Sequence, residues 1–230
     1  MKTIPLPAKD FDIYIARSDT QWILREGEPL AEVYEQGYLP YSGAQDSKDI
    51  FYSGRSARVI LADFELSSEN RRIAKKFDGA FTREVIPFAE FKPDDYFWTL
   101  SLTYFAQKHG ANAMPRARIE ALFDAGILTS VIVYSNAEKI VAYVLEAEDG
   151  NMGHYWYSFY DITLAKQSLG MWLMLDCVRA AKERGLAYYY LGTVYGEKAL
   201  YKTNFQPLEW WDGTGWNIDQ KLLRERGRSE

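Results

Sequence analysis

The sequence predicts a mixed α/β fold, with a sheet of mixed strand direction flanked by helices and a smaller N-terminal half, and three observations predict it. The second half alternates β-rich runs with helical periodicity in the order β-β-β-α-β-α-β. The chain has 230 residues, 47% of them hydrophobic and 26% charged, enough apolar surface for a sizeable core. Its 7 Trp, 17 Tyr and 12 Phe are bulky groups that are usually buried or line a ligand groove.

Before about residue 55 the sequence reads as irregular strands and loops, with Gly27, Gly37, Gly43 and Gly54 punctuating segments such as Asp12-Ile-Tyr-Ile-Ala16. Arg58–Phe64 reads as a strand. Ser67 then caps a helix that ends at Asp78-Gly79. Pro93, Asp94 and Asp95 make a favourable first helical turn, so an aromatic-rich helix runs on to His109-Gly110, and Arg116–Ala125 is a shorter one. Ser130–Tyr134 and Ile140–Leu145 flank a turn of hairpin composition, and His154–Tyr160 is a third strand. Ser168 is placed to cap a helix through about Arg184, with an apolar face on Leu169, Trp172, Leu173, Cys177 and Ala180, and Gly185 stops it. Strand Tyr188–Gly192, a short helix over about Lys198–Asn204 and an extended segment at Leu208–Trp211 complete the pattern. No repeat or flexible linker divides the chain, and the softest boundary falls near residue 112. It separates an N-terminal half, residues 1–112, from a second unit at 113–230.

Several function classes are disfavoured by composition. No apolar stretch reaches the roughly 20 residues of a membrane span, and Lys9 and Asp10 arrive before a signal-peptide core can develop, so a cytoplasmic protein is expected. One cysteine, Cys177, and two histidines, His109 and His154, offer no metal-ligand spacing, so no metal and no bound cofactor are expected. A net charge of −5 argues against blanket nucleic-acid binding while leaving room for local basic clusters.

Chemistry concentrates at two places. Tyr157-Ser-Phe-Tyr-Asp161 puts a carboxylate at a strand end, seven residues before Ser168-Leu169-Gly170 opens a helix. Helix N–H groups beside small residues let a phosphate, ribose or acyl group approach. Equally, Asp161 is readable as a turn cap alone and Gly170 as a packing position alone. The element order resembles a GNAT-type acyltransferase core, with the N-terminal half either irregular or a smaller unit of the same kind. Gln167-Ser-Leu-Gly-Met171 is at best a fragment of the CoA-binding Gln/Arg-x-x-Gly-x-Gly/Ala loop, which weakens acetyl-CoA as donor.

The second place is Tyr188-Tyr-Tyr-Leu-Gly-Thr-Val-Tyr195 followed by Lys198-Ala-Leu-Tyr-Lys-Thr-Asn-Phe-Gln-Pro207. This run resembles the C-terminal signature of the arginyl-tRNA-protein and leucyl-tRNA-protein transferases, a Tyr-Leu-Gly strand followed by Lys-Met-x-Tyr-Lys-x-x-Phe-x-Pro. Leu191, Gly192, Lys198, Tyr201, Lys202, Phe205 and Pro207 fit, with Ala199 in place of the methionine. Thinner echoes lie at Tyr34-x-x-Gly37, Ser42-Gly43, Arg58-Val59 and Ser68-Glu-Asn-Arg-Arg72. The family's Cys-x-x-Cys region would fall between Gly43 and Arg58, where this chain has no cysteine, and its Arg-Arg before Ser-Gly is replaced by Tyr38-Leu-Pro-Tyr41.

The resemblance implies attack of a peptide α-amine, such as that of an N-terminal Asp or Glu, on the ester joining Arg or Leu to its tRNA. Aminoacyl-tRNA is then a co-substrate and the peptide or protein N-terminus the acceptor. An activated ester needs alignment, a proton path and oxyanion stabilisation. Asp161 is the candidate to relay the amine's proton, with Tyr157 and Tyr195 orienting groups. Ser168, Leu169, Gly170, Gly192, Lys198, Tyr201 and Lys202 are candidate substrate contacts; Lys198 and Lys202, four apart, are expected on one helix face. Arg71 and Arg72 are the densest phosphate-binding candidates before the tail Lys221–Arg228, though each cluster is also readable as a solvated face. His154 reads as a strand residue rather than a base. A CoA-dependent N-acyltransferase and a non-catalytic binder of peptide termini are the competing classes. The residues do not specify an oligomeric state.

Overall fold

The computed structural model describes residues 21–42 and 49–230. The segment Asp12–Ala16 and the start of the cysteine-free stretch at Ser47 lie outside them. In chain order the elements are β1 (Gln21–Ile23), α1 (Leu30–Glu35), β2 (Tyr38–Pro40), β3 (Ile50–Ser53), β4 (Ser56–Ile60), α2 (Ser68–Phe77), β5 (Thr82–Pro87), α3 (Asp95–His109), α4 (Arg116–Phe123), β6 (Ser130–Ser135), β7 (Ile140–Asp149), β8 (Met152–Tyr160), α5 (Leu169–Glu183), β9 (Tyr188–Thr193), β10 (Leu208–Trp211), β11 (Trp216–Asn217) and α6 (Gln220–Ser229). Short 3-10 helices cover Ile162–Gln167 and Glu197–Asn204.

Eight strands form the main sheet in the order β11-β10-β4-β9-β8-β7-β6-β5, and β1-β3-β2 form a small second sheet. The main sheet takes strands from both sides of residue 112, since β4 inserts between β10 and β9 and β5 pairs with β6. All its pairings are antiparallel except β8 with β9. That parallel pair needs a crossover, which α5 provides. Leu169, Leu173, Leu175, Cys177, Val178 and Ala181 of α5 are buried against the sheet core.

Local chemistry explains most element ends. The Ser67 hydroxyl accepts from the Asn70 N–H while the Asn70 side chain accepts from the Ser67 N–H, a reciprocal cap that fixes the start of α2. Asp94 caps α3 by accepting from the Phe97 N–H at 2.7 Å. At its far end α2 stops at Asp78, whose carboxylate takes both terminal nitrogens of Arg179, each at 2.9 Å, and ties α2 to α5.

The structure corrects several sequence expectations. The strand expected at Arg58–Phe64 runs over Ser56–Ile60, because the chain turns after Leu61 to bury Phe64 and returns to the sheet only through a single bridge between Glu65 and Gln206. Ser168 does not cap α5. It sits in the left-handed region at φ 69°, with no side-chain capping bond, where the preceding 3-10 helix feeds into α5. The basic tail forms α6, capped by Asp219 and anchored by buried Leu223. Strand β5 gave no clear signal, since as an edge strand it buries little of either face.

Candidate active site

Strands β8 and β9 pair only at Met152–Tyr188, Gly153–Tyr189 and His154–Tyr190. Beyond that point they part, for a local reason in β8. Tyr155 pairs with Glu146 and Tyr157 with Leu145, so Trp156 is an extra, bulged residue that re-aims the strand. The gap opens into a cavity of about 360 Å³. Its floor is His154, Tyr155, Gly192 and Thr193; Tyr157 and Ser158 form one wall, and Leu39, Ser42 and Tyr52 of the N-terminal segments cover it. Tyr104, Phe105 and His109 of α3 close the apolar side, and Tyr201 and Lys202 close the other. Among the described residues that line it, none is a carboxylate.

Two bases meet at the floor. His154 is 2% exposed, and its Nδ1 is 2.8 Å from the Tyr34 hydroxyl, which leaves Nε2 towards Gly192. Burial, aided by the charge of Lys202, pushes its pKa down to about 3, so the imidazole is neutral near pH 7. Burial also lowers Lys202 to about 8, close enough to neutrality for proton transfer. Its Nζ donates to the Thr193 carbonyl at 2.7 Å. Gly192 turns the strand here at φ 80°, a conformation that favours glycine; a β-carbon there would make only ordinary contact with Lys202 Nζ at 3.6 Å and His154 Nε2 at 4.0 Å.

Of the residues singled out by sequence, the structure brings Tyr157, Gly192, Tyr201 and Lys202 to this cleft. Tyr157 is fixed by a 2.6 Å hydrogen bond between its hydroxyl and that of Ser42. The others lie elsewhere. Asp161 is bound by Lys139 Nζ at 2.7 Å and by the Thr163 N–H and hydroxyl at 3.0 and 2.6 Å, the geometry of a turn cap. Burial opposes its ionisation, but these donors outweigh it and hold the carboxyl below its ordinary range. The Tyr195 hydroxyl accepts from the Arg55 N–H at 2.8 Å, and Tyr195 is not among the described residues that line the cleft. Leu169 is buried, and Gly170 is a packing position: a β-carbon there would come 2.6 Å from the Tyr160 hydroxyl.

Lys198 and Lys202 do not share a face. Their helix is 3-10, with three residues per turn, so residues four apart diverge; Lys198 is exposed while Lys202 turns inward. On α2, Arg72 is spent on a two-pronged pair with Glu69 at 2.8 and 2.7 Å, and Arg71 folds back on the Leu66 carbonyl. His154 is the site residue that sequence reasoning passed over. Its partner Tyr34 is 120 residues away, and no local spacing announces such a pair.

Residues 73–203 match the acetyltransferase (GNAT) domain family. The aspartate/glutamate leucyltransferase of Paramagnetospirillum magneticum is 31% identical over 169 residues, 69% of this chain and 66% of that protein. The protein of the same name from Cereibacter sphaeroides is 31% identical over 174 residues, 70% of this chain but 60% of its own length. That from Methylorubrum extorquens is 28% identical over 225 residues, 86% of each chain. The chain thus spans less than two thirds of the length of the first two relatives. The crystal structure of FemX, at 11% identity and a TM-score of 0.53, covers 85% of this chain and 69% of its own and shares the fold. Sheet order, parted parallel strands and sequence likeness agree: the chain belongs to the GNAT acetyltransferase-domain family, in the part of it that resembles the aspartate/glutamate leucyltransferases.

Proposed function

We propose that this chain transfers an apolar amino acid, leucine, from its tRNA to the α-amine of a peptide beginning with Asp or Glu. One observation carries the reading: the cleft between β8 and β9 pairs a wall that is aromatic and, among the described residues, free of carboxylates with a lysine of lowered pKa. An apolar side chain matches Phe105, Tyr104, Met174 and Leu191, whereas an arginyl group would meet no counter-charge among the described lining residues. The names of the similar proteins point to the same donor and acceptor.

In this reading the amine nitrogen attacks the ester carbonyl carbon, the bond from that carbon to the ribose oxygen breaks, and an amide forms. Lys202, as the ammonium, faces the negative charge that develops on the carbonyl oxygen and protonates the departing ribose oxygen, which leaves as the hydroxyl. The proton given up by the nitrogen restores Lys202. Neutral His154, steadied by Tyr34, is a polar but uncharged floor beside it, and Tyr157 orients the incoming groups. Charged tRNA and a protein N-terminus are the partners, and the protein supplies position and electrostatics.

The test incubates the protein with leucyl-tRNA, arginyl-tRNA or acetyl-CoA, and with peptides beginning Asp, Glu, Asn or Gln. Leucine transfer to the acidic peptides is expected. Acetyl transfer with no response to charged tRNA would replace this reading with a CoA-dependent one, and no transfer with retained peptide binding would leave a non-catalytic binder.

A further inference from the structure

The strand that floors the cleft leads directly into a second polar site. Gly192 and Thr193 line the cleft, and Val194 to Gly196 continue beside Arg55, three residues that span at most about 11 Å. The Val194 N–H donates to the Arg55 carbonyl at 2.8 Å and Arg55 Nη1 lies 3.4 Å from the Val194 carbonyl, so the two segments are locked together. The Arg55 side chain is fully buried, its guanidinium 4.7 Å from the centre of the Tyr195 ring. A carboxylate is seated in this site. Glu230, just after α6, places Oε1 2.6 Å from Arg55 Nη1 and accepts with Oε2 from the Gly196 N–H, also at 2.6 Å.

The seat is built for two oxygens of one carboxylate. One donor is a buried cation, the other a backbone N–H presented by a glycine at φ 67°. An amide in the same place would turn an NH2 towards one of these donors and leave it unpaired, which is how a polar site rejects an isostere. The occupant is itself an acidic side chain, 23% exposed, joined to the fold by one turn of helix beyond buried Leu223 and Gly227.

We propose that Arg55 and the Gly196 N–H form the subsite for the acidic side chain of the acceptor, and that Glu230 fills it as an internal stand-in that the acceptor displaces. The identity of the ligand rests on the transferase reading above. The carboxylate chemistry of the seat rests on the contacts alone. Arg55 would thereby select the acceptor without touching the reacting atoms, while Glu230 sets the affinity for it.

Calorimetric titration with the C-terminally amidated peptides Asp-Ala-Ala and Asn-Ala-Ala tests this without tRNA or turnover, so a failure to transfer leucine does not affect the result. Glu230→Ala is expected to raise affinity for the Asp peptide about tenfold, since it removes an internal competitor, and to leave the Asn peptide unchanged. Adding Arg55→Gln should abolish the preference, with a thermal melt confirming the fold. Should that variant not fold, competition in the Glu230→Ala protein decides: glutarate should displace the Asp peptide and glutaramide should not. Equal affinity of the two peptides in the Glu230→Ala protein would overturn the proposal. So would displacement by inorganic phosphate but not by glutarate, which would make the seat a phosphate site for the donor.

Discussion

Lys202 Nζ lies 2.7 Å from the carbonyl oxygen of Thr193, so the one lysine among the described residues that line the cleft is tethered to the strand whose departure from β8 opens it. The tether fixes the ammonium, and burial sets its pKa at about 8. The reactive position and the proton affinity are thus products of one arrangement.

Lys202 should impose an alkaline limit on turnover. The ammonium is the working form in the proposed reaction, so kcat is expected to fall as pH rises through about 8. Lys202→Ala should reduce kcat on the order of 10²-fold, the scale of losing one charged stabiliser of the transition state. Lys202→Arg should retain part of the rate and move the alkaline limb upward. A profile that keeps its limb near pH 8 in the Arg variant would remove Lys202 from the proton path.

His154 should make folding stability depend on pH. Its folded pKa of about 3 lies below the 6.5 of an unfolded histidine, so between these values the unfolded chain binds the extra proton. Stability is therefore lost as pH falls from about 6.5 towards 3, by at most about 1.4 kcal/mol per pH unit. His154→Gln should flatten denaturation midpoints between pH 6.5 and 4.5, with His109→Gln as control, since burial and nearby Lys108 and Lys198 lower that histidine too. Below about pH 4 the depressed carboxylates of Asp78 and Asp161 add a loss of the same sign as they protonate. An unchanged slope in His154→Gln would mean that the ring is not neutral in the folded state.

Asp161→Asn is expected to leave kcat within about twofold, because the carboxylate caps a turn outside the cleft lining and Asn caps nearly as well. The ion pair with half-exposed Lys139 is lost, a solvent-screened contact whose removal should barely move the melt. Single-turnover rates with a melt on the same samples check this; a hundredfold loss of rate at unchanged stability would return Asp161 to the mechanism.

Arg71→Ala with Arg72→Ala should lower the slope of log affinity for tRNA against log salt by about one, not two, since each phosphate contact contributes about one unit and Arg72 is already paired with Glu69. Filter binding at four salt concentrations reads the slope. No change would make this end of α2 a solvated face.

Much of the fold was legible because it is written in short-range chemistry. The apolar runs of β6, β7 and β8, the reciprocal cap of Ser67 and Asn70 and the Asp94 cap of α3 each depend on residues within a few positions of one another. Strand β5 and the inward turn of Lys202 were not, since the first is defined by its neighbour in the sheet and the second by a 3-10 rather than an α twist. The motif around Gly192 and Lys202 marked the right segment for chemistry, because a glycine and a lysine ten residues apart in one corner still belong to one local structure.

What only the tertiary structure decided is which charged groups are free to act. Asp161, conspicuous at a strand end, is neutralised by Lys139 from the neighbouring hairpin, while inconspicuous His154 is held by Tyr34 from 120 residues away. Arg55 gains its carboxylate partner from Glu230 at a still greater separation. The sequence determines residue types and local geometry. Burial, which sets proton affinity and decides which charges are already spent, exists only once distant segments have packed.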